Sequence, residues 1–193
     1  MLKALLLASS LISASALAFD LQENTLDAGK VKAGGKAVVL LGSGVNQGQP
    51  APDFKVADAD FTPVTLADFE RRAVLISVVP SLDTGTCSLQ TKHFNEQVAD
   101  KFPDVAMLTI SADLPFAQKR FCKAENIDKV KTLSDSVWHS FGENYGLLIK
   151  DMGLLSRAIF VLDKDHKVVY KQLVENLSKE PDYEPVVEAL EQL

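Results

Sequence analysis

Residues 73–79, Ala-Val-Leu-Ile-Ser-Val-Val, form a nearly unbroken apolar run rich in β-branched side chains, and Pro80 follows it at once. A strand of this composition has no polar face to turn to water, so it is predicted to be buried on both faces. Proline has no N–H to give to a ladder and ends the strand. A second run of the same kind, Val105 to Ile110, predicts a second buried strand. Between them the period changes. Cys87, Gln90, Phe94 and Val98 recur at spacings of three and four, which predicts a helix starting near Gly85 or Thr86, with Asp83 or Thr84 as its cap and Cys87 on the inward stripe.

The remaining elements fit around that strand–helix–strand unit. Ser111 or Asp113 can cap the next helix, with Pro115 tolerated in its first turn and Leu114, Ala117 and Phe121 as its apolar face; Cys122 comes one residue later. Val130 to Leu133 reads as a short strand and Ser136 to Phe141 as a short helix. Ala158 to Leu162 and Lys167 to Val174 make a hairpin through Asp163-Lys164-Asp165-His166, and Tyr183 to Leu193 is an amphipathic helix. Upstream, Asp53 to Ala57 and Val64 to Leu66 are short strands around a turn at Asp58-Ala59-Asp60. Between Phe19 and Pro50 the chain is turn-rich. Gly34-Gly35 and Gly42-Ser43-Gly44 flank the run Ala37 to Leu41, predicting a small hairpin laid on the main domain. Strands and helices in alternation, closed by a hairpin and a helix, predict an α/β domain of thioredoxin-like arrangement with an N-terminal β-hairpin extension.

The first residues suggest where the chain works. Met1-Leu2-Lys3 is a short positive start, Ala4 to Ile12 is mostly apolar, and small residues lead to Ala16-Leu17-Ala18. This is the layout of a secretory signal peptide over residues 1–18, cleaved between Ala18 and Phe19. It predicts an exported protein, in a bacterium a periplasmic one, with a single domain over 19–193. The apolar run falls short of the ~20 residues that span a bilayer, and no cysteine near the cleavage point offers a lipid anchor, so no stable membrane anchor is expected. The formal net charge is −6, and removing Lys3 takes it to −7. An acidic chain without Lys/Arg clusters is a poor nucleic-acid binder.

Two cysteines in an exported protein would by default form one structural disulfide. The neighbourhood of Cys87 suggests more. A thiolate, not a thiol, is the effective nucleophile, and the first turn of a helix favours negative charge through its unpaired N–H groups and dipole. Cys87 is predicted in such a turn, just past a strand end.

The block Pro80-Ser81-Leu82-Asp83-Thr84-Gly85-Thr86-Cys87 resembles the active-site pattern of the peroxiredoxins. Ser88-Leu89-Gln90-Thr91 and Asp113-Leu114-Pro115-Phe116-Ala117-Gln118-Lys119-Arg120-Phe121-Cys122 are similar to the bacterial thiol peroxidase subfamily, atypical two-cysteine peroxiredoxins. Thr86 departs from the pattern, standing where a small apolar residue is expected. The resemblance implies a thiol-dependent peroxidase in which Cys87 attacks the peroxide and Cys122 resolves the resulting sulfenic acid by a disulfide within the chain. It also implies that Thr84 hydrogen-bonds thiolate and peroxide, that Pro80 shapes and shields the pocket, and that Arg157 supplies the active-site positive charge. Hydrogen peroxide or an alkyl hydroperoxide is then the substrate, a thioredoxin-like dithiol the reductant, and a homodimer the expected assembly. No cofactor and no metal are expected. Bridging needs Cα atoms within roughly 7 Å. One cysteine is predicted at a helix start and the other near a helix end, so local unwinding of at least one helix is expected. His93 lies off the Cys87 stripe, His139 and His166 read as surface or core histidines, and Trp138 reads as core. The competing reading is a non-enzymatic redox sensor or thioredoxin-like binding protein with a structural disulfide.

Overall fold

The computed structural model describes residues 21–193. The expected leader over 1–18 and its cleavage point lie outside the described residues. Strands β1 (Lys32–Ala33) and β2 (Lys36–Ala37) pair across Gly34-Gly35, whose positive φ values suit glycine. β3 (Leu40–Leu41), β4 (Lys55–Ala57) and β5 (Pro63–Thr65) follow, then a 3-10 turn at Leu66–Phe69. β6 (Val74–Val78) is the predicted central strand, buried along its whole length. Helix α1 (Gly85–His93) runs on into a π-helical turn, Phe94–Val98, and a 3-10 turn, Ala99–Lys101. Next come β7 (Ala106–Ser111), α2 (Pro115–Glu125), β8 (Lys131–Ser134) and α3 (Ser140–Tyr145). β9 (Leu148–Ile149), β10 (Leu154–Leu155), β11 (Ala158–Leu162), β12 (Val168–Leu173) and α4 (Glu184–Glu191) complete the chain.

Seven strands form one sheet in the order β12-β11-β6-β7-β8-β4-β5. β6, β7 and β8 are parallel, and the flanking pairs are antiparallel. Alternation along β6 feeds two cores. Val74, Ile76 and Val78 pack on one face with Phe54, Phe141, Tyr145 and Phe160. Leu75 packs on the other with Phe94, Val98, Ile159, Val186 and Leu190, from the α1 run, β11 and α4. A side chain of this size is worth roughly 1.5–3 kcal/mol when fully buried, which explains the apolar run of β6; its polar member, Ser77, is buried and accepts from the Gln90 amide. The α/β thioredoxin-like arrangement is therefore present, and Cys87 lies at the C-terminal end of the central strand.

Four local expectations are corrected. The run Ala37 to Leu41 does not stay in the N-terminal hairpin: Leu40 and Leu41 leave it to pair with β9, which also pairs with β10. Burying Leu40 against Val31 and Ile149 is what draws the chain there. On α2 the buried residues are Pro115 and Gln118, while Leu114 is exposed. Gln118 turns inward because its amide donates to Ser111 Oγ (3.0 Å) and Leu133 O (2.9 Å). The short helix starts at Ser140 rather than Ser136, because the Asp135 carboxylate accepts from Phe141 N and Gly142 N, both at 2.9 Å, and His139 adopts φ +54° just before it. Trp138 is not core; it lies partly exposed beneath the Lys55 ammonium, 4.3 Å from the ring centroid.

Candidate active site

Where β6 ends, Val79 N still bonds to Ile110 O of β7, and Pro80 then releases the chain from the sheet. The turn that follows is pinned from the side. Asp113, just ahead of α2, accepts from Ser81 Oγ and Leu82 N at 2.7 Å each, and from Ser111 Oγ at 2.8 Å. Neither Ser111 nor Asp113 caps α2 by side chain; both are committed to this link. α1 then opens with Thr84 at its cap position. The Thr84 hydroxyl donates to Ser81 O (3.2 Å), leaving the first turn of α1 without a side-chain cap. Cys87 is the third residue of that turn and has no exposed surface.

Arg157 sits between β10 and β11 and is 1% exposed, not a solvated strand-edge residue. Its Nη2 lies 3.2 Å from Cys87 Sγ and its Nη1 2.6 Å from Gln90 Oε1. Nε and Nη2 both donate to Leu177 O, at 3.3 and 2.9 Å. Gln90 is itself held by its amide group donating to Ser77 Oγ at 2.8 Å. None of these partners is a carboxylate, and isolating a buried cation costs several kcal/mol. The sulfur is the one group in this set able to carry the opposite charge. The guanidinium and the N-terminal turn of α1 thus both bring positive charge to Cys87 Sγ.

Cys122 is in a different setting. It is partly exposed near the end of α2, its Sγ 3.2 Å from Thr132 Oγ1 of β8, and burial pushes its thiol up from the ordinary value, only partly offset by that hydroxyl. No cation bonds to it. Both cysteines are free thiols in the structure.

A cavity of about 270 Å³ opens beside the first turn of α1, lined by Ala33, Gly34, Pro80, Thr84, Thr86, Met152, Leu154, Arg157, Leu177 and Ser178. Pro80, Thr84 and Arg157 thus meet at one pocket, with the sulfur behind them. The departure at Thr86 has a local use: its hydroxyl lies 3.5 Å from Ser178 O, on the segment that also supplies Leu177 O. His93 does not reach the sulfur; it stacks on Tyr183 at 3.7 Å, and burial lowers its affinity for a proton. His166 meets Phe69 O at 3.1 Å, and His139 serves the turn before α3. Among the described residues no cluster of His, Cys, Asp or Glu is placed to hold a metal ion.

Sequence reasoning missed two arginine partners. Gln90 carried a signal, since it is the polar member of an otherwise apolar stripe beginning at Cys87. Leu177 carried none, because its contribution is a backbone carbonyl. The assembled site can bind a small polar molecule beside a buried sulfur and stabilise negative charge that develops next to Arg157.

A family model described as Redoxin matches residues 46–187. The chain is 51% identical over 150 residues to a thiol peroxidase of Staphylococcus haemolyticus, covering 78% of this chain and 90% of that one. It is 49% identical over 159 residues to a thiol peroxidase of Bacillus subtilis, covering 82% and 95%. Among solved structures it superposes on a peroxiredoxin-like protein from Aquifex aeolicus with a TM-score of 0.79 and 38% identity, covering 84% and 95%. A thiol peroxidase from Chromobacterium violaceum shares the fold at a TM-score of 0.76 and 22% identity, with the same coverage.

Proposed function

The chain belongs to the Redoxin family, as a thiol peroxidase of the peroxiredoxin kind, and from that premise we propose a cycle for its residues. The Cys87 thiolate attacks one oxygen of a hydroperoxide; the O–O bond breaks, water or an alcohol leaves, and the sulfur becomes a sulfenic acid. The Cys122 thiol then attacks that sulfur, water leaves, and an intramolecular disulfide forms. A thioredoxin-like dithiol returns both cysteines to thiols by exchange. The observation that carries this reading is the buried guanidinium of Arg157, 3.2 Å from Cys87 Sγ and without a carboxylate partner.

In this cycle Arg157 stabilises first the thiolate and then the charge developing on the leaving oxygen. Thr84 turns its hydroxyl from Ser81 O to the incoming peroxide, and Pro80 walls the pocket against water. The apolar rim of Pro80, Met152, Leu154 and Leu177 supports acceptance of alkyl hydroperoxides alongside hydrogen peroxide. Because Cys87 is enclosed and each cysteine is held in a helix, disulfide formation requires local unwinding of α1 or α2. Membership of the peroxiredoxin family supports a homodimer as its working assembly. The sequence pattern of residues 1–18 supports export to the periplasm, which a mature chain beginning at Phe19 in that fraction would demonstrate.

The cycle is tested by mixing the reduced protein with equimolar hydroperoxide and following peroxide loss, then adding candidate dithiol reductants under steady-state conditions. Fast single-turnover loss followed by sustained turnover with a thioredoxin-like reductant supports the cycle. Loss no faster than that of a free thiol would mark the pair as a sensor or a structural link instead.

A further inference from the structure

The two thiols belong to different packing clusters. Cys87 is enclosed with Val79 and Leu82. Cys122 lies against the cluster built on Leu75, Phe94, Met107, Ile127 and Val130. Phe121, the residue before Cys122, packs against both clusters. It also lines the groove between the two helices, together with Leu82, Thr84, Gly85 and Ser88 from the α1 side. Successive helix residues point about 100° apart. With Phe121 facing the Cys87 cluster, Cys122 is turned towards Thr132, where its sulfur is hydrogen-bonded.

From this arrangement we infer that Phe121 is a gate between the two cysteines, a positioning residue that sets how long the sulfenic acid at Cys87 survives. This inference rests on the cycle proposed above. While the ring is docked, Phe121 fills the α2 side of the cluster that encloses Cys87. Cys122 reaches the sulfenic acid when α2 unwinds or turns by about one residue, exchanging Phe121 for Cys122 at that position. The thiol then attacks, the S–O bond breaks, the S–S bond forms and the oxygen departs as water. If a second hydroperoxide arrives first, the sulfenic acid attacks it, gains an oxygen to become a sulfinic acid, and releases an alcohol or water. Undocking of one aromatic ring therefore decides between recycling and inactivation. The gate acts after the first oxidation and leaves the Arg157–Cys87 contact untouched.

The test uses the reduced full-length protein and tert-butyl hydroperoxide, with thiol trapping and mass spectrometry to time each state of Cys87. Phe121→Ala is expected to speed disulfide formation roughly tenfold, the barrier change for a half-buried aromatic that no longer has to leave its site. The fraction of sulfinic acid at a fixed peroxide excess should fall by a similar factor, while the first oxidation stays within about twofold. Phe121→Leu, which keeps an apolar plug, should fall between the variant and the parent. Phe116→Ala removes an exposed ring from the same helix and serves as the control; it should leave the disulfide-to-sulfinic ratio unchanged. The gate is overturned if Phe121→Ala and Phe121→Leu form the disulfide no faster than the parent. It is equally overturned if Phe116→Ala shifts the ratio as much, since loosening of α2 would then explain both. A parent protein that showed no fast first oxidation would overturn the peroxidase cycle itself, a distinct outcome.

Discussion

Cys87 and Cys122 are the same side chain in two environments. Cys87 is sealed from solvent at the start of α1, with a buried guanidinium against its sulfur and no apolar substitute for that contact. Cys122 is partly exposed near the end of α2, faces a hydroxyl, and is held by burial towards its neutral thiol form. The first environment sets a positive charge against an enclosed sulfur, next to one small cavity that the guanidinium lines. The second keeps a thiol in reserve. The difference shows that the chemistry of a cysteine pair is assigned by surroundings, since neither residue type nor helix membership separates the two.

This contrast can be broken at its stronger end. Cys87→Ser is expected to lower single-turnover peroxide loss by roughly 10⁴-fold or more, because a hydroxyl, a far weaker nucleophile, replaces the sulfur beside Arg157. Residual fast loss in that variant, read by stopped-flow, would transfer the nucleophile to Cys122. Arg157→Lys should lower the same rate by roughly 100-fold, since a point charge cannot span Sγ, Gln90 and the Leu177 carbonyl together. If the rate were preserved, the α1 terminus alone would account for activation. Cys122→Ser should leave the first oxidation within about twofold but stop turnover with a dithiol, with the sulfenic acid trapped by dimedone. Normal turnover there would remove Cys122 from the cycle.

A separate test, of stability rather than rate, lies outside both thiol sites, at Asp135. Burial raises its carboxyl to about 7, against two backbone N–H bonds that pull it down. A carboxyl raised in the folded state contributes stability at low pH and loses it as pH rises through the folded value. Across pH 4 to 7 the parent should therefore lose up to about 1.4 kcal/mol per pH unit relative to Asp135→Asn. Urea unfolding of both proteins at pH 4.5 and 7.5 measures the difference, and a gap independent of pH would show that the carboxylate stays ionised throughout.

The sequence revealed those parts whose cause is local. The central strand announced itself by an apolar run broken only by Ser77, and the strand–proline–helix order placed Cys87 at a helix mouth. Arg157 was identified by the surrounding motif, although its burial was not visible. What escaped reading was set by long-range polar pairing. Gln118 rotated α2 away from its apparent apolar face because its amide is satisfied on β8. Asp135 delayed α3 by bonding to amides six and seven residues ahead. Gln90 was placed on the right stripe, yet its partner lies 67 residues away. Patterns of period and composition report which side faces inward, and these contacts depend on what waits there.

The carbonyl of Leu177 has a consequence for how such a chain tolerates change. It aims the guanidinium through two hydrogen bonds, and it is itself positioned by Leu177 N bonding to Lys32 O and Lys32 N bonding to Glu175 O. All of these atoms belong to the main chain. Replacing the letters between Val174 and Tyr183 leaves the acceptor in place, whereas inserting or removing one residue there swings the guanidinium off the sulfur. Along this stretch the aim of the guanidinium depends on spacing, while the Leu177 side chain answers separately for the pocket rim and its packing on Val31 and Ile149.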